Sequence, residues 1–331
     1  MFRSMILSAA LLALVVGWAG AAAPPPKTRF PSLSSDDTFD RIRKESAPLP
    51  GWSRMLAGSL PRTTSLMLSL DHFHRAKNPL DPVLRARLRW IAADANRCDY
   101  SRKQAEADLL AAGVAKDQVD KLWGDETKWN GNERALAVFA RKMTLAAHSV
   151  TDAEMAALLK AHGEAKVVAM VHTLAHANFQ DRIFLALGVE TETTGPMAPV
   201  LLPVPSEDRT KDLIPARRAW KAITGAKFDE EGERPDWEDR SAEALDKALA
   251  DQKARKPRIG MPSSLRFLMM PPHLRERAKR VAWSHVSMGY QPFMTRAWFE
   301  TMGSFQDEAR MDPVFANSYF WVITRSNECF Y

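Results

Sequence analysis

The sequence predicts an all-α protein made of two related halves, and three observations carry that reading. From Trp52 to Gly188 apolar residues recur at helical spacing, and no convincing period-two strand interrupts them. The same stretch carries start and stop signals for helices, among them Thr151-x-x-Glu154 and the glycines Gly113, Gly163 and Gly188. The third observation is a self-match. Trp90 to Tyr100 and Trp321 to Tyr331 both read W-[IV]-x-x-x-[AS]-N-x-C-x-Y, at an offset of 231 residues. Asp81-Pro82-Val83 pairs with Asp312-Pro313-Val314, Pro61 with Pro292 and Thr64 with Thr295, and seven of the twenty positions from 81 to 100 are identical in the two copies. Similarity at one fixed offset is the mark of a tandem duplication.

Taken in order, residues 1–23 read as a secretory signal peptide. Arg3 supplies the charge, Met5 to Val16 the apolar run and Ala19-Gly20-Ala21 the small residues at the cut, a pattern too short for a membrane span. The chain that remains is expected outside the cytoplasm, periplasmic or secreted, and free of the membrane. Residues 24–50, rich in proline and serine, read as a linker. In the first helical domain, 51–190, Leu84, Leu88, Ile91, Ala92 and Ala95 form one apolar face leading into Asn96 and Cys98. A helix from about Ser101 to Ala112 is closed by Gly113. Leu136, Phe139, Ala140 and Met143 mark another face. Thr151 and Glu154 form a capping box, because each side chain can satisfy an orphan backbone donor of the first turn. Glu164 to Leu187, apolar nearly all round, is expected to be buried and central.

Residues 191–258 break the pattern with five prolines between Pro196 and Pro215 and an acidic run at Asp229-Glu230-Glu231. This connector is expected to hold short helices near Trp220 and from Ser241 to Lys253. The helical pattern resumes at Ser263 to Met270 and Leu274 to Val286. Residues 259–331 thus read as a second domain, expected to be truncated, because the first copy continues for several helices beyond its Tyr100. A two-fold arrangement of the halves would put Trp90 and Trp321 in equivalent surroundings. The apolar faces around Val281, Trp283, Phe293, Trp298, Phe299, Phe315 and Trp321 would then be partly uncovered.

Composition narrows the function. The chain is 46% hydrophobic and 26% charged with a net charge of +6, and its lysines and arginines are scattered among acids, so nucleic-acid binding has little support. The two cysteines sit at equivalent places in the repeat. In an oxidising compartment either a disulfide or two buried free thiols fits them. No phosphate-binding loop, dinucleotide fingerprint, nucleophile elbow or haem-attachment motif is present, and no cofactor is indicated. His172-x-x-x-His176 puts two imidazoles on one helix face, a spacing open to a metal site or to two core histidines. No third ligand is obvious, and no metal is expected. His72 and His74, two apart on a helix, should not share a face.

The helix ending in N-x-C-x-Y, the glycine-closed helix after it and the long helix ending near Asn178-Phe179-Gln180-Asp181-Arg182 resemble the carboxymuconolactone decarboxylase and alkylhydroperoxidase D-like family. The resemblance covers about residues 60 to 190, and 290 to 331 in part. It implies an all-α alkylhydroperoxidase D-like bundle, tandemly duplicated, and a tendency to form homo-oligomers. In the peroxidase members a glutamate precedes C-x-x-C by twelve residues and a histidine follows it by four. The first cysteine attacks peroxide as a thiolate, the second closes a disulfide, and the histidine moves protons. Of these only the first cysteine is present here. The glutamate position is Ala86 in the first copy and Asn317 in the second, the resolving position is Ser101, and the histidine position is Ala105.

Two functions follow from the resemblance. One is an exported thiol-dependent peroxidase, acting on a small hydroperoxide with a thiol reductant, in which Cys98 and Cys329 are the candidate nucleophiles and His176 stands in for the missing relay. The other is a non-catalytic helical scaffold or assembly module that keeps the fold without the chemistry. Lactone decarboxylation is a third, implied by the family name alone.

Overall fold

A computed structural model describes residues 48–121, 131–201, 241–254, 258–260, 262, 272 and 282–326. The residues of the expected signal peptide, most of the expected linker, the helices expected near Trp220, at Ser263 to Met270 and over the first part of Leu274 to Val286, and Cys329 lie outside the described residues. What is described is all-α: among these residues there is no strand. The helices are α1 (Gly51–Leu56), α2 (Pro61–His72), α3 (Pro82–Ala95), α4 (Asp99–Ala111), α5 (Lys116–Asp120), α6 (Gly131–Leu145), α7 (Asp152–His162), α8 (Glu164–Leu187), α9 (Ala242–Ala254), α10 (Ala282–Tyr290), α11 (Pro292–Ala309) and α12 (Pro313–Ser326). No described helix is long and apolar enough to cross a membrane.

Local chemistry explains the boundaries. Asp81 starts α3 by accepting hydrogen bonds from the amides of Val83 and Leu84, with Pro82 in the first turn where no N–H is needed. The capping box at Thr151 and Glu154 is fully formed, the threonine hydroxyl taking the Glu154 amide at 3.2 Å and the carboxylate taking the Thr151 amide at 2.8 Å. Gly188 ends α8 in the left-handed region, which favours glycine, at φ 65°.

The first half packs α3 at its centre, with α4, α6 and α8 all lying along it. Leu88, Ile91, Phe139, Met170 and Leu174 meet in the main core. Burying such side chains stabilises the fold by about 2 kcal/mol each. A second cluster joins Trp52 of α1, Tyr100 of α4 and Phe184 of α8, with the Tyr100 and Phe184 rings edge to face at 4.9 Å. The expectation that α8 is buried all round is corrected: Leu185 is 46% exposed, and the buried face carries His176, Gln180 and Asp181 among its apolar residues. Near its end the buried face joins Gln180 and Asp181 to Phe184, while Arg182 and Leu185 lie outward.

The second half lies on the first. α11 packs along α2, and Phe179 of α8 meets Trp298 of α11 edge to face at 5.1 Å. The Glu308 carboxylate of α11 accepts from the amides of Arg62 at 2.8 Å and Thr63 at 2.7 Å, so it caps the first turn of α2 in place of the side chain that Leu60 cannot offer. Segment 258–260 docks on the other side. Arg258 reaches Asp152 at 2.6 Å, Ile259 joins the main core, and the Gly260 amide donates to Glu164 at 3.0 Å. An added Cβ at Gly260 would stand 2.7 Å from the end of that flexible side chain, which would have to swing aside.

Helices begin at the repeat offset in two places: Pro61 and Pro292, and Pro82 and Pro313, each differ by 231. The residues before α2 and α11 share one conformation, Leu60 at φ −132°, ψ 59° and Gln291 at φ −134°, ψ 62°. Thr64 and Thr295 each donate to the carbonyl four residues back, and Asp312 caps α12 as Asp81 caps α3. The tryptophans depart from this pattern. Trp90 is 2% exposed and Trp321 is 55% exposed, so their surroundings are not equivalent. The cause is that α4, α6 and α8 cover α3, whereas among the described residues no other helix packs closely along α12. Trp283 and Phe293 are likewise exposed, while Trp298 is shielded by Phe179.

Candidate functional site: a buried polar seam

Cys98 sits in a tight junction between α3 and α4. α3 ends with Arg97 in the left-handed region at φ 56°, and the Cys98 amide turns back to the Ala93 carbonyl at 2.8 Å, a Schellman-type closure with arginine in the position that favours glycine. This leaves Cys98 as the residue preceding α4, its thiol 1% exposed and 3.5 Å from the Ser101 hydroxyl. Asp181 of α8 faces the same thiol. Its carboxylate accepts from the Asn96 amide at 2.8 Å, and Asn96 also bonds Asn178 at 2.9 Å. Burial pushes the Cys98 thiol up, the Asp181 carboxylate pushes it further, and the Ser101 hydroxyl compensates only in part, so it ionises near pH 11. A helix N-terminus alone would favour the thiolate, but here desolvation and a neighbouring acid outweigh it. Asp181 itself is raised by burial, against the opposing pull of Ser101, Asn96 and Arg89.

From Asp181 a line of buried polar groups continues under α2. Asp71 of α2 receives Arg75 at 3.1 Å, Gln180 at 2.9 Å and, at 3.6 Å, Arg89 of α3. Arg75 also makes a fork to Asp108 of α4, with both bonds at 2.8 Å, and donates to the Met197 carbonyl at 3.0 Å. One guanidinium therefore ties α2, α4 and the segment after α8. Burial would raise Asp71, but Arg75, Arg89 and Gln180 together hold it below the usual carboxylate range.

His176 lies in this seam, near Arg89 and Arg75. Its ring stacks on that of His74 at 3.9 Å with an interplanar angle of 1°, both rings buried. Asp181 and Ser101 act on the thiol, while the contact shown for His176 is the stack on His74. Burial, with Arg89 and Arg75 next to His176, holds that histidine neutral and well below its ordinary value. His74 is depressed in the same direction by burial and by His176. His172 is lowered by burial to about 4. Among the described residues no three of His, Cys, Asp and Glu come together in a way that could hold a metal ion.

His74 is the member that sequence reasoning missed. It belongs to a turn of π-helix, Phe73–Lys77, that extends α2 and shifts the register of the residues after His72. A signal was available in the spacing: Asp71, His74 and Arg75, then Arg85 and Arg89, then His172, His176 and Gln180 each recur at helical intervals on otherwise apolar helices. Compared with known protein families, curated proteins and solved structures, the chain matches none.

Proposed function

We propose that this chain is an exported, non-catalytic helical scaffold of the carboxymuconolactone decarboxylase and alkylhydroperoxidase D-like kind, a tandem duplication whose first half has kept the fold and lost the thiol chemistry. The observation that carries this is the state of Cys98: a buried thiol beside Ser101 and Asp181, ionising near pH 11. At neutral pH almost none of it is the thiolate that attacks a peroxide. Ser101, at the resolving position, has no sulfur to close a disulfide. Nearby, Asp71, Arg75, Asp108 and Gln180 are bonded to one another, as suits a seam that fixes how α2, α4 and α8 meet. Duplication is supported by the two helix starts at one offset and by the matching caps at Asp81 and Asp312. The peroxidase alternative then rests on Cys329.

The test is consumption of hydrogen peroxide and an organic hydroperoxide in the presence of a dithiol reductant, comparing the chain with its Cys98→Ser and Cys329→Ser variants. The scaffold reading predicts no sustained turnover by any of them. Turnover lost on Cys98→Ser would overturn the reading of the first half, and turnover lost on Cys329→Ser would favour the peroxidase.

A further inference from the structure

The end of α2, with its π-turn, runs against α8 as a ladder of side-chain pairs spaced one helical turn apart. Asp71 accepts from the Gln180 side-chain amide at 2.9 Å, the ring of His74 stacks on that of His176 at 3.9 Å, and the Asn78 side-chain amide donates to the Thr173 hydroxyl at 2.7 Å. Positions 71, 74 and 78 ascend one helix as 180, 176 and 173 descend the other. The outer two rungs are hydrogen bonds. In the middle rung the two rings lie face to face, and the Nδ1 of each is buried without a hydrogen-bond partner. The charged groups around this rung are already engaged. Arg75, on the same turn, is bonded to Asp71 and to Asp108 of α4. From α3, Arg89 lies 3.6 Å from Asp71 and Arg85 donates to the Asn78 carbonyl. On α8, His172 opposes a charge on His74, and Asp181 accepts from Asn96. From α11, Glu308 meets α2 at Arg62 and Thr63, about 17 Å back along the helix from His74. A proton on either ring therefore meets Arg75 and Arg89, with each nearby carboxylate among the described residues held by other partners.

We propose that the His74–His176 pair is an acid-sensitive latch: a proton taken up by either imidazole releases the π-turn Phe73–Lys77 from α8, while the main core around α3 stays packed. A buried cation without a partner is costly, and swinging the turn outward lets water solvate it. The turn is the part suited to move. It is a single π-helical turn at the end of α2, and Ala76 and Lys77 on it are already exposed. In the open form an imidazole takes its proton at the ordinary value of about 6.5, whereas the closed pair stays neutral there. The closed state is therefore fully favoured above that pH, and opening gains about tenfold for each pH unit below it and for each histidine released. This is a local event, separate from the loss of the whole fold.

Hydrogen exchange of the full chain tests this, followed from pH 7.5 to 5.0 in water and in low urea and corrected for the intrinsic rate at each pH. The amides of the π-turn, and that of Leu80, which donates to Asn78, should lose protection at least about tenfold per pH unit below about 6.5. That loss should depend little on urea, because a local opening exposes little surface, whereas the core amides of α3 should keep the steep urea dependence of global unfolding. In a His74→Phe, His176→Phe double variant the ring pair remains but takes no proton, so the response of the turn to pH should vanish. Should that variant not fold, the imidazole resonances of the unaltered chain decide, since both rings should titrate only together with the loss of protection. A turn that exchanges with the urea dependence of α3, a pH response that survives in the double variant, or rings that titrate near 6.5 while the turn stays protected would overturn the proposal.

Discussion

Glu308 joins the two halves at one carboxylate, and replacing it should be costly for reasons that can be worked from the contacts. Glu308 is 5% exposed, and its oxygens hold the amides of Arg62 and Thr63, two of the first-turn donors of α2 that have no partner within the helix. Leu60, which precedes α2, supplies no side-chain cap. In Glu308→Ala both charge-assisted hydrogen bonds go. Each is worth about 1.5–3 kcal/mol, from which the recovered solvation of a buried carboxylate must be subtracted. A loss near the upper end of a capping substitution, about 2 kcal/mol, is expected. Glu308→Gln keeps one acceptor and loses the charge that favours a helix N-terminus, so it should cost about 1 kcal/mol. Urea unfolding with unchanged slope measures the loss, and hydrogen exchange localises it, since the Arg62 and Thr63 amides should lose protection before those in the middle of α2. A Glu308→Ala chain within about 0.5 kcal/mol of the parent would refute the assignment of this contact as a structural cap.

Other expectations follow from the seam and its junction. The buried histidines hold fewer protons in the folded chain than their ordinary values would give, so stability should fall as pH drops below about 6.5, by up to 1.4 kcal/mol per pH unit for each, a slope that the raised Asp181 partly opposes. Urea midpoints from pH 8 to 5 read this, and His176→Gln should flatten the curve. Above pH 9 the sign reverses, because Cys98 and Tyr100 keep their protons when folded; both are raised first by burial, and stability should decline into alkali. Arg75→Met removes the one group shared by Asp71, Asp108 and Met197 and leaves a buried carboxylate short of its main partner, so a loss of about 3–5 kcal/mol is expected from thermal or urea unfolding. Arg97→Gly should stabilise by about 0.5–1 kcal/mol, since glycine accepts the left-handed conformation that arginine holds at φ 56°.

Helix ends were the most legible part of the sequence. Thr151 with Glu154, Gly113 and Gly188 each state a local rule that no tertiary contact overrides, and the structure obeys them. The apolar face of α3 was equally plain, because Leu88, Ile91 and Ala92 recur at the helical period. Tertiary choices were less so. Nothing local says that the π-turn after His72 rotates His74 inward to meet a ring 102 positions later, 176 minus 74. The circumference of α8 misled for a related reason: its count of apolar residues is high, yet its buried face is shared with His176, Gln180 and Asp181 because Asp71 and Arg89 meet them there. For Cys98 the sequence left a reactive thiol and a buried one both open, and its burial with Asp181 packed against it decides the electrostatics.

The most direct measurement of the central claim is the ionisation of the Cys98 thiol in a Cys329→Ser chain, followed by ultraviolet absorbance of the thiolate and by the pH dependence of its alkylation rate. A scaffold with this junction predicts negligible reaction at neutral pH and a midpoint near 11, lowered towards the ordinary thiol value when Asp181→Asn removes the facing carboxylate. A midpoint below about 7.5, with rapid alkylation at neutral pH, would place Cys98 among activated thiols and contradict the account.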